Sequence, residues 1–467
     1  MLIEQIYTGC LAQGAYYIES NREAVVIDPL RETTPYLQRA ARSGARIKYI
    51  LETHFHADFV SGHLDLSKKT GATIVYGPQA QASFEFKTAV DGEELQVGHC
   101  TIKVLHTPGH TMESTCYLLK DEKGHDRALF TGDTLFIGDV GRPDLAQKID
   151  ATLTPEKLAG YLYDSLQNKI MPLRDDILIY PGHGAGSACG KHLSEQRYDS
   201  LGNQKRHNYA LKKELSKEDF ITAVTRGLTP PPGYFPMNVM MNKQGYESLD
   251  KVLDRGQKAM TPEDFEAVAN KTGALVLDTR EAPSFAEEFI PNSINIGIDG
   301  NFAPWAGALI PDLNQPILVV SQKGREEEVI TRLARVGLDH SLGYLDGGIE
   351  AWKASGRPTA KITSISAKEL AVIMSIAPIH ILDVRKASEF AEGHVLNAIN
   401  IPLDHINENM HRLDKDKTYY VYCAGGYRSM MFNSILRARG FNHLIDIHGG
   451  YKAIRDAEEI SITNYTA

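Results

Sequence analysis

Cysteine is scarce in this chain: five occur in 467 residues, Cys10, Cys100, Cys116, Cys189 and Cys423, at irregular spacing. An odd, irregular set is not a disulfide framework, and it fits a reducing compartment. The N-terminus lacks the basic start and apolar core of a secretory signal. No apolar run approaches the ~20 residues that a membrane-spanning helix needs. A cytoplasmic protein with no membrane partner is therefore expected. Blocks of one-signed charge are missing too: the net charge of -9 is spread along the sequence, which favours solubility and speaks against nucleic acid as a partner. What remains is globular in character, with 42% apolar and 23% charged residues. At roughly 100–200 residues per domain the length suggests about three domains. Each has enough chain for its own core, so no disulfide or metal staple is needed merely to fold.

Two features divide the sequence. Leu228-Thr-Pro-Pro-Pro-Gly-Tyr-Phe-Pro236 reads as an extended connector, because proline cannot continue a helix. A charged, helix-patterned stretch from about Ser194 to Gly227 precedes it. The second feature is an internal repeat. Leu277-Asp-Thr-Arg280 recurs as Leu382-Asp-Val-Arg385, Phe285 as Phe390, and Ile294-Asn-Ile296 as Ile399-Asn-Ile401, all 105 residues apart. Gly347-Gly348 returns as Gly449-Gly450 at an offset of 102, so the second copy is slightly shorter. A period of ~100 residues suits duplicated domains and is too long for a solenoid unit. Each copy alternates short β-branched runs with amphipathic patterns such as Glu326–Arg335 and Ser429–Arg439, which predicts parallel α/β domains.

Before the connector, short strands end in loops that carry metal-type ligands. Thr53-His-Phe-His-Ala-Asp58, Thr107-Pro-Gly-His110, Thr131-Gly-Asp133 and Tyr180-Pro-Gly-His183 each follow an apolar run and sit beside glycine or proline. Loops at strand ends let side chains from distant parts of a chain converge on one ion. In this order and spacing the four motifs resemble the metallo-β-lactamase superfamily, over about Met1 to Met240. The resemblance implies an αββα sandwich with the metal at one edge. Its nearest branch is that of persulfide dioxygenases and glyoxalase II-type thioesterases, which the stretch from Leu135 to Asp144 also resembles.

The superfamily's full motif is His-x-His-x-Asp-His, which builds two metal sites; here its last position is Phe59. A phenyl ring cannot coordinate. His54, His110 and Asp133 remain as two imidazoles and a carboxylate with open positions, the set expected of non-haem Fe(II) oxygenases. Zinc hydrolases of this family use the second ion to clamp the attacking hydroxide and leaving group. One Fe(II) per chain is thus expected, with zinc as the alternative. His56, Asp58 and His183 then support the ligands through hydrogen bonds. His106 and Cys116 read as structural, and Cys189, beside the His183 loop, is open. Arg142 is the candidate for holding a carboxylate or phosphate of a thiol carrier, because its fork suits such groups, with Asp144 positioning it.

In the second repeat, Cys423-Ala-Gly-Gly-Tyr-Arg428-Ser429 lies between a strand pattern and an amphipathic helix. Backbone N–H groups of the loop, the helix dipole and Arg428 favour a thiolate there, which makes Cys423 and Arg428 the catalytic candidates and Gly425, Gly426 and Ser429 the substrate-binding ones. This segment, with Leu382-Asp-Val-Arg385, Gly393-His394 and His448-Gly-Gly-Tyr451, resembles the rhodanese domain from about Ser364 onward. The first repeat keeps the scaffold motifs, but its loop reads Ser321-Gln-Lys-Gly-Arg325. Cysteine persulfide chemistry is impossible there. Asp383 and Arg385 read as braces for the loop.

The expected fold class is therefore α/β: a metallo-β-lactamase sandwich over 1–250, followed by two parallel-sheet rhodanese-like domains, inactive over 260–360 and active over 364–467. The resemblance implies oxidation of a low-molecular-weight thiol persulfide (glutathione, coenzyme A or similar) to sulfite with O2. Cys423 would then transfer sulfane sulfur to sulfite to give thiosulfate, as in sulfide detoxification, or alternatively load a carrier thiol that feeds the iron site. A homo-oligomer is consistent with it. The alternatives are a zinc-dependent glyoxalase II-type thioesterase and a non-oxidative sulfur-relay module.

Overall fold

The computed structural model describes residues 1–145 and 152–463. The chain divides into two compact units, Met1–Lys251 with Leu333–Gly337, and Val252–Arg332 with Leu338–Ala467. Among the described residues no helix is long and apolar enough to cross a membrane.

The first unit holds two six-stranded sheets. One runs in sequence order: β1 (Leu2–Thr8), β2 (Gln13–Ser20), β3 (Glu23–Ile27), β4 (Arg46–Leu51), β5 (Thr73–Tyr76) and β6 (Lys87–Thr88). The other comprises β7 (Glu94–Val97), β8 (Cys100–His106), β9 (Thr115–Lys120), β10 (Asp126–Gly132), β11 (Leu178–Pro181) and β12 (Asp199–Ser200), in the order β12-β11-β10-β9-β8-β7. Residues of period two bind the sheets together: Tyr16, Ile18, Val25 and Ile27 from one pack with Ile102, Val104, Tyr117 and Phe130 from the other. The opposite face of the second sheet, with Leu105, Leu118 and Leu129, is covered by Leu162 and Phe220 from the helices Pro155–Ser165 and Lys217–Thr225. The helix His63–Thr70 lies against β4 and β5. This is an αββα sandwich.

The connector is shorter than its prolines suggest. A helix spans Phe235–Gln244, with Pro236 in its first turn. Proline is at home there, because the first N–H groups of a helix have no intrahelical acceptor. The preceding charged stretch forms two short helices, Leu201–His207 and Lys217–Thr225, and not one long one.

The second unit contains the two repeats. The first supplies β13 (Ala259–Met260), β14 (Leu275–Asp278), β15 (Ile294–Asn295), β16 (Ile317–Val320) and β17 (Ser341–Leu345), ordered β13-β17-β16-β14-β15. The second supplies β18 (Thr363–Ile365), β19 (His380–Asp383), β20 (His394–Val395), β21 (Ile399–Asn400), β22 (Tyr419–Tyr422), β23 (Leu444–Ile447) and β24 (Ile462–Thr463). Five of these form the sheet β18-β23-β22-β19-β21, while β20 pairs with β24. Both five-stranded sheets are parallel throughout. Helices follow the strands, as parallel crossovers require.

Candidate functional site

In the first unit the ligand-bearing loops follow β4, β8, β10 and β11. His54, His110 and Asp133 are buried, and their ligand atoms all lie within 4.8 Å of one another. Asp133 Oδ2 is 3.9 Å from His54 Nε2 and 3.4 Å from His110 Nε2. The outer nitrogens are oriented from behind. His110 Nδ1 lies 2.8 Å from the carbonyl of Arg142, so it donates there and leaves Nε2 as a lone-pair donor. Thr53 Oγ1 donates to Asp28 at 2.8 Å and lies 3.0 Å from His54 Nδ1, which sets the same tautomer in His54. Burial, together with His56, His110 and His183, holds the His54 pKa well below its usual value, which keeps the ring neutral.

Among the described residues neither oxygen of Asp133 has a hydrogen-bond partner, though the residue is buried. A buried carboxylate in that state is costly unless a cation or a donor answers it. The approach is also tight: a Cβ on Gly182 would sit 2.7 Å from Asp133 Oδ1, and one on Gly132 would sit 2.5 Å from Thr53 Oγ1. Two imidazoles that turn Nε2 towards a buried carboxylate fit a divalent cation.

The remaining motif residues lie beside these three. His183 Nε2 is 3.5 Å from Asp58 Oδ2 and 3.5 Å from Asp133 Oδ1. His56 Nε2 is 3.1 Å from Asp28 and 3.5 Å from Glu52. Burial opposes charge on His56, but Asp28 and Glu52 outweigh it and raise its pKa well above the usual value. Burial likewise pushes Glu52 up to about 7 against the pull of His56. Phe59 is fully buried, its ring centroid 4.4 Å from that of His56. Cys189 has its ligand atom within 4.8 Å of those of Asp133 and His183. Burial, then Asp58 and Asp133, push its thiol pKa up.

Arg142 differs from the expected clamp. It is only 6% exposed, and its fork is taken by both oxygens of Asp144 at 2.7 Å and by the carbonyls of Ala188 and Thr229 at 3.2 and 2.5 Å. Four of its five side-chain N–H groups are thus engaged within the protein, and its backbone carbonyl orients His110.

Several contributors had no motif to announce them. Asp28, at φ +50°, accepts from the Thr53 N–H at 2.7 Å and from its hydroxyl. Glu113 accepts from the Phe55 N–H at 3.1 Å. Asn242, on the helix after the connector, accepts from the Ser61 N–H at 2.9 Å and donates to the carbonyls of His56 and Phe59 at 2.8 Å each. Their sequence distance from the histidines hides them.

In the second unit Cys423 follows β22 and is 1% exposed. The Gly426 N–H donates to its Sγ at 3.1 Å. Gly426 has φ +103°, and the helix Tyr427–Ala438 starts immediately after it. The Tyr451 N–H holds the Cys423 carbonyl at 2.6 Å. A Cβ on Gly450 would come within 2.3 Å of that oxygen, so this turn demands glycine. Arg428 makes a two-point bond to Glu389 at 2.6 and 2.8 Å, so its charge is matched. Ser429 Oγ donates to the Gly426 carbonyl at 3.2 Å. Gly425 and Gly426 line a cavity of about 580 Å³, together with Tyr427, His448 and Lys361, and with Asp299 of the first repeat.

Comparison with known proteins agrees with this division. The pattern of the metallo-beta-lactamase superfamily matches residues 8–183, and that of the rhodanese-like domain matches 261–355 and 366–457. The mitochondrial persulfide dioxygenase ETHE1 of Homo sapiens is 34% identical over 205 residues, 42% of this chain and 74% of that protein. A probable hydroxyacylglutathione hydrolase of Schizosaccharomyces pombe is 30% identical over 212 residues, 44% of this chain and 77% of that protein. Among solved structures, a metallo-beta-lactamase from Staphylococcus aureus is 30% identical with a TM-score of 0.64, covering 74% of this chain and 98% of its own. The chain belongs to the metallo-beta-lactamase superfamily, and it carries two rhodanese-like domains after the metallo-beta-lactamase domain.

Proposed function

We propose that residues 1–250 form an Fe(II)-dependent persulfide dioxygenase, 260–360 an inactive rhodanese-like domain, and 364–467 a sulfurtransferase acting through Cys423. The single observation that carries the first assignment is the buried trio His54, His110 and Asp133 beside Phe59, where the motif of two-metal hydrolases has a histidine. Iron(II) held by that trio would supply a soft anchor for a persulfide sulfur and the means to activate O2. His54 and His110 both turn Nε2 towards Asp133, the one carboxylate of the trio. Asp28, Thr53 and the Arg142 carbonyl fix the rings, and His56, Asp58 and His183 support them from the side. Burial of the trio excludes bulk water, which protects a reactive sulfur from side reactions. The likeness to ETHE1 and to hydroxyacylglutathione hydrolases supports a low-molecular-weight thiol as carrier, with glutathione among the candidates.

At the second centre the Cys423 thiolate attacks the outer sulfur of a persulfide. The S–S bond to the carrier breaks, the carrier leaves as thiolate, and Cys423 keeps a persulfide. Sulfite then attacks that outer sulfur, forming thiosulfate and returning the Cys423 thiolate. The Gly426 N–H, already 3.1 Å from Sγ, is placed to hold the anion. Arg142 we read as a brace, and its partner Asp144 likewise. The cytoplasm is the location this reading favours, and a homo-oligomer is compatible with it.

The test is oxygen uptake by Fe(II)-loaded protein given glutathione persulfide, with sulfite and thiosulfate measured together. His54→Ala is expected to abolish uptake, and Cys423→Ser to retain uptake while moving the product from thiosulfate to sulfite. No uptake with several persulfides, alongside thioester hydrolysis by zinc-loaded protein, would replace this reading with the thioesterase one. Asp58 and His183, both still in place, are what favours that second reading.

A further inference from the structure

The first repeat lacks a nucleophile, yet it reaches the loop of the second. That loop is held at both ends. At its start the N–H groups of Tyr451 and Lys452, within the second repeat, donate to the carbonyls of Cys423 and Ala424 at 2.6 and 3.1 Å. Its far end carries the Gly426 N–H that donates to Cys423 Sγ at 3.1 Å. Between them Ala424, Gly425 and Gly426 have at most a methyl side chain, and glycine backbone does not fix itself. Tyr427 is the first large side chain after Cys423, and its hydroxyl donates to the Gly297 carbonyl of the first repeat at 2.6 Å. The seat fits the ring closely: a Cβ on Gly297 or on Gly300 would stand 3.1 Å from it. Gly297 is itself tied down, since the N–H groups of Ile296 and Ile298 donate to the carbonyls of Asp278 and Thr279 at 3.0 Å each. Further along the same face of the helix Tyr427–Ala438, at spacings of three and four, two more contacts follow. Met430 packs with Phe285 and Phe289, and Ser434 Oγ accepts from the Asn295 N–H at 2.9 Å.

We propose that Tyr427 is a positioning residue for sulfur transfer, through which the first repeat holds the Gly426 N–H against Cys423 Sγ. The first repeat is then half of the sulfur-transfer site, although it supplies no reacting atom. The effect passes through geometry alone, because the Tyr427 hydroxyl keeps its proton and stays on the Gly297 carbonyl throughout. An N–H aimed at sulfur favours the thiolate, and equally the persulfide anion, over their protonated forms. Loosening it therefore weakens both the nucleophile and the sulfur-loaded state. The position that matches Tyr427 in the first repeat, 102 residues earlier, is Arg325, which bonds Asp299 at 2.7 Å and Glu328 at 2.8 Å. The device thus belongs to the second copy. This inference rests on the reading of Cys423 as the sulfur carrier and adds what holds its loop in a working shape.

The experiment compares the full chain with two variants: Tyr427→Phe, which keeps the ring, and Gly297→Ala, which keeps the hydroxyl but crowds the ring. The first readout is alkylation of Cys423 by iodoacetamide across pH, followed on its own peptide by mass spectrometry. The second is anaerobic thiosulfate formation from glutathione persulfide and sulfite. Tyr427→Phe is expected to move the alkylation profile to higher pH by about one unit. It should also lower kcat for thiosulfate about tenfold while KM for the persulfide stays put. Gly297→Ala should move both in the same direction, and it decides alone if Tyr427→Phe does not fold. An alkylation profile that stays in place overturns the proposal, and a rise in KM alone would make Tyr427 merely a wall of the cavity. Alkylation needs no turnover, so the two readings fail separately. An unsubstituted chain that forms no thiosulfate, with the shift still seen in Tyr427→Phe, would remove the sulfurtransferase reading and leave the hold on Cys423 standing.

Discussion

The two rhodanese-like copies share a brace and differ in the loop that it supports. In the first, Arg280 bonds Asp278 at 2.6 Å and the Glu288 carbonyl at 2.8 Å; in the second, Arg385 bonds Asp383 at 2.6 Å and the Gly393 carbonyl at 2.7 Å. Asn295 and Asn400 each tie the two carbonyls of their own brace, at 2.9–3.0 Å. Beyond this the copies part. The Gly426 N–H points at Cys423 Sγ, but the Gly324 N–H is taken by Glu326 at 3.1 Å. The helix after Ser321 begins with Glu326, Glu327 and Glu328, whereas the first turn after Cys423 has no acidic residue. The two copies share what holds the loop and differ in what the loop faces. A helix N-terminus with three carboxylates is a poor host for a thiolate or persulfide anion.

Three changes probe this contrast, in falling order of effect. Restoring the nucleophile in the wrong copy, Ser321→Cys on a Cys423→Ser background, is expected to leave thiosulfate formation at background. Recovery to more than a tenth of the parent rate would show that the loop surroundings do not matter. Next, Asp278→Ala and Asp383→Ala each strand a buried arginine, so each should cost ~3–5 kcal/mol in denaturant-induced unfolding. A large disparity between them would break the equivalence of the braces. The smallest effect concerns Asp446, whose counterpart in the first copy is Tyr344. Burial raises the Asp446 pKa to about 6, against the opposing hydrogen bonds of Ser429 and Ser364. Its folded pKa lies above its unfolded one, so its contribution to stability is full below pH ~4 and is lost as pH rises from ~4 through ~6, by ~3 kcal/mol at most. Asp446→Asn should flatten that part of the stability-against-pH curve, whereas Tyr344→Phe should leave its slope unchanged.

Local pattern made much of this molecule legible. Alternation and β-branched runs place β10, β11, β16, β19 and β22, and the loops after them follow from glycine and proline. The repeat offset exposes the paired braces before any coordinates are seen. The failures have a common physical source, since contacts between distant residues leave no periodic trace. Pro236 looks like a break but opens a helix. Arg142 looks like a free fork but gives four of its five N–H groups to Asp144 and two carbonyls. Asn242 supports a loop 186 residues earlier, and its surrounding pattern gives it no distinction.

That asparagine bears on how the protein can be cut into pieces. The superfamily pattern ends at residue 183, and a fragment stopped there would be a natural choice for expression. It would lack the helix Phe235–Gln244, and with it the partners of the Ser61 N–H and of the His56 and Phe59 carbonyls. It would also lose the Glu247 carbonyl that receives Arg31 at 2.7 Å. A portable version of the first unit should therefore run at least to about Lys251, and it still forgoes Leu333–Gly337, whose Arg335 carbonyl accepts from the Val60 N–H at 2.7 Å.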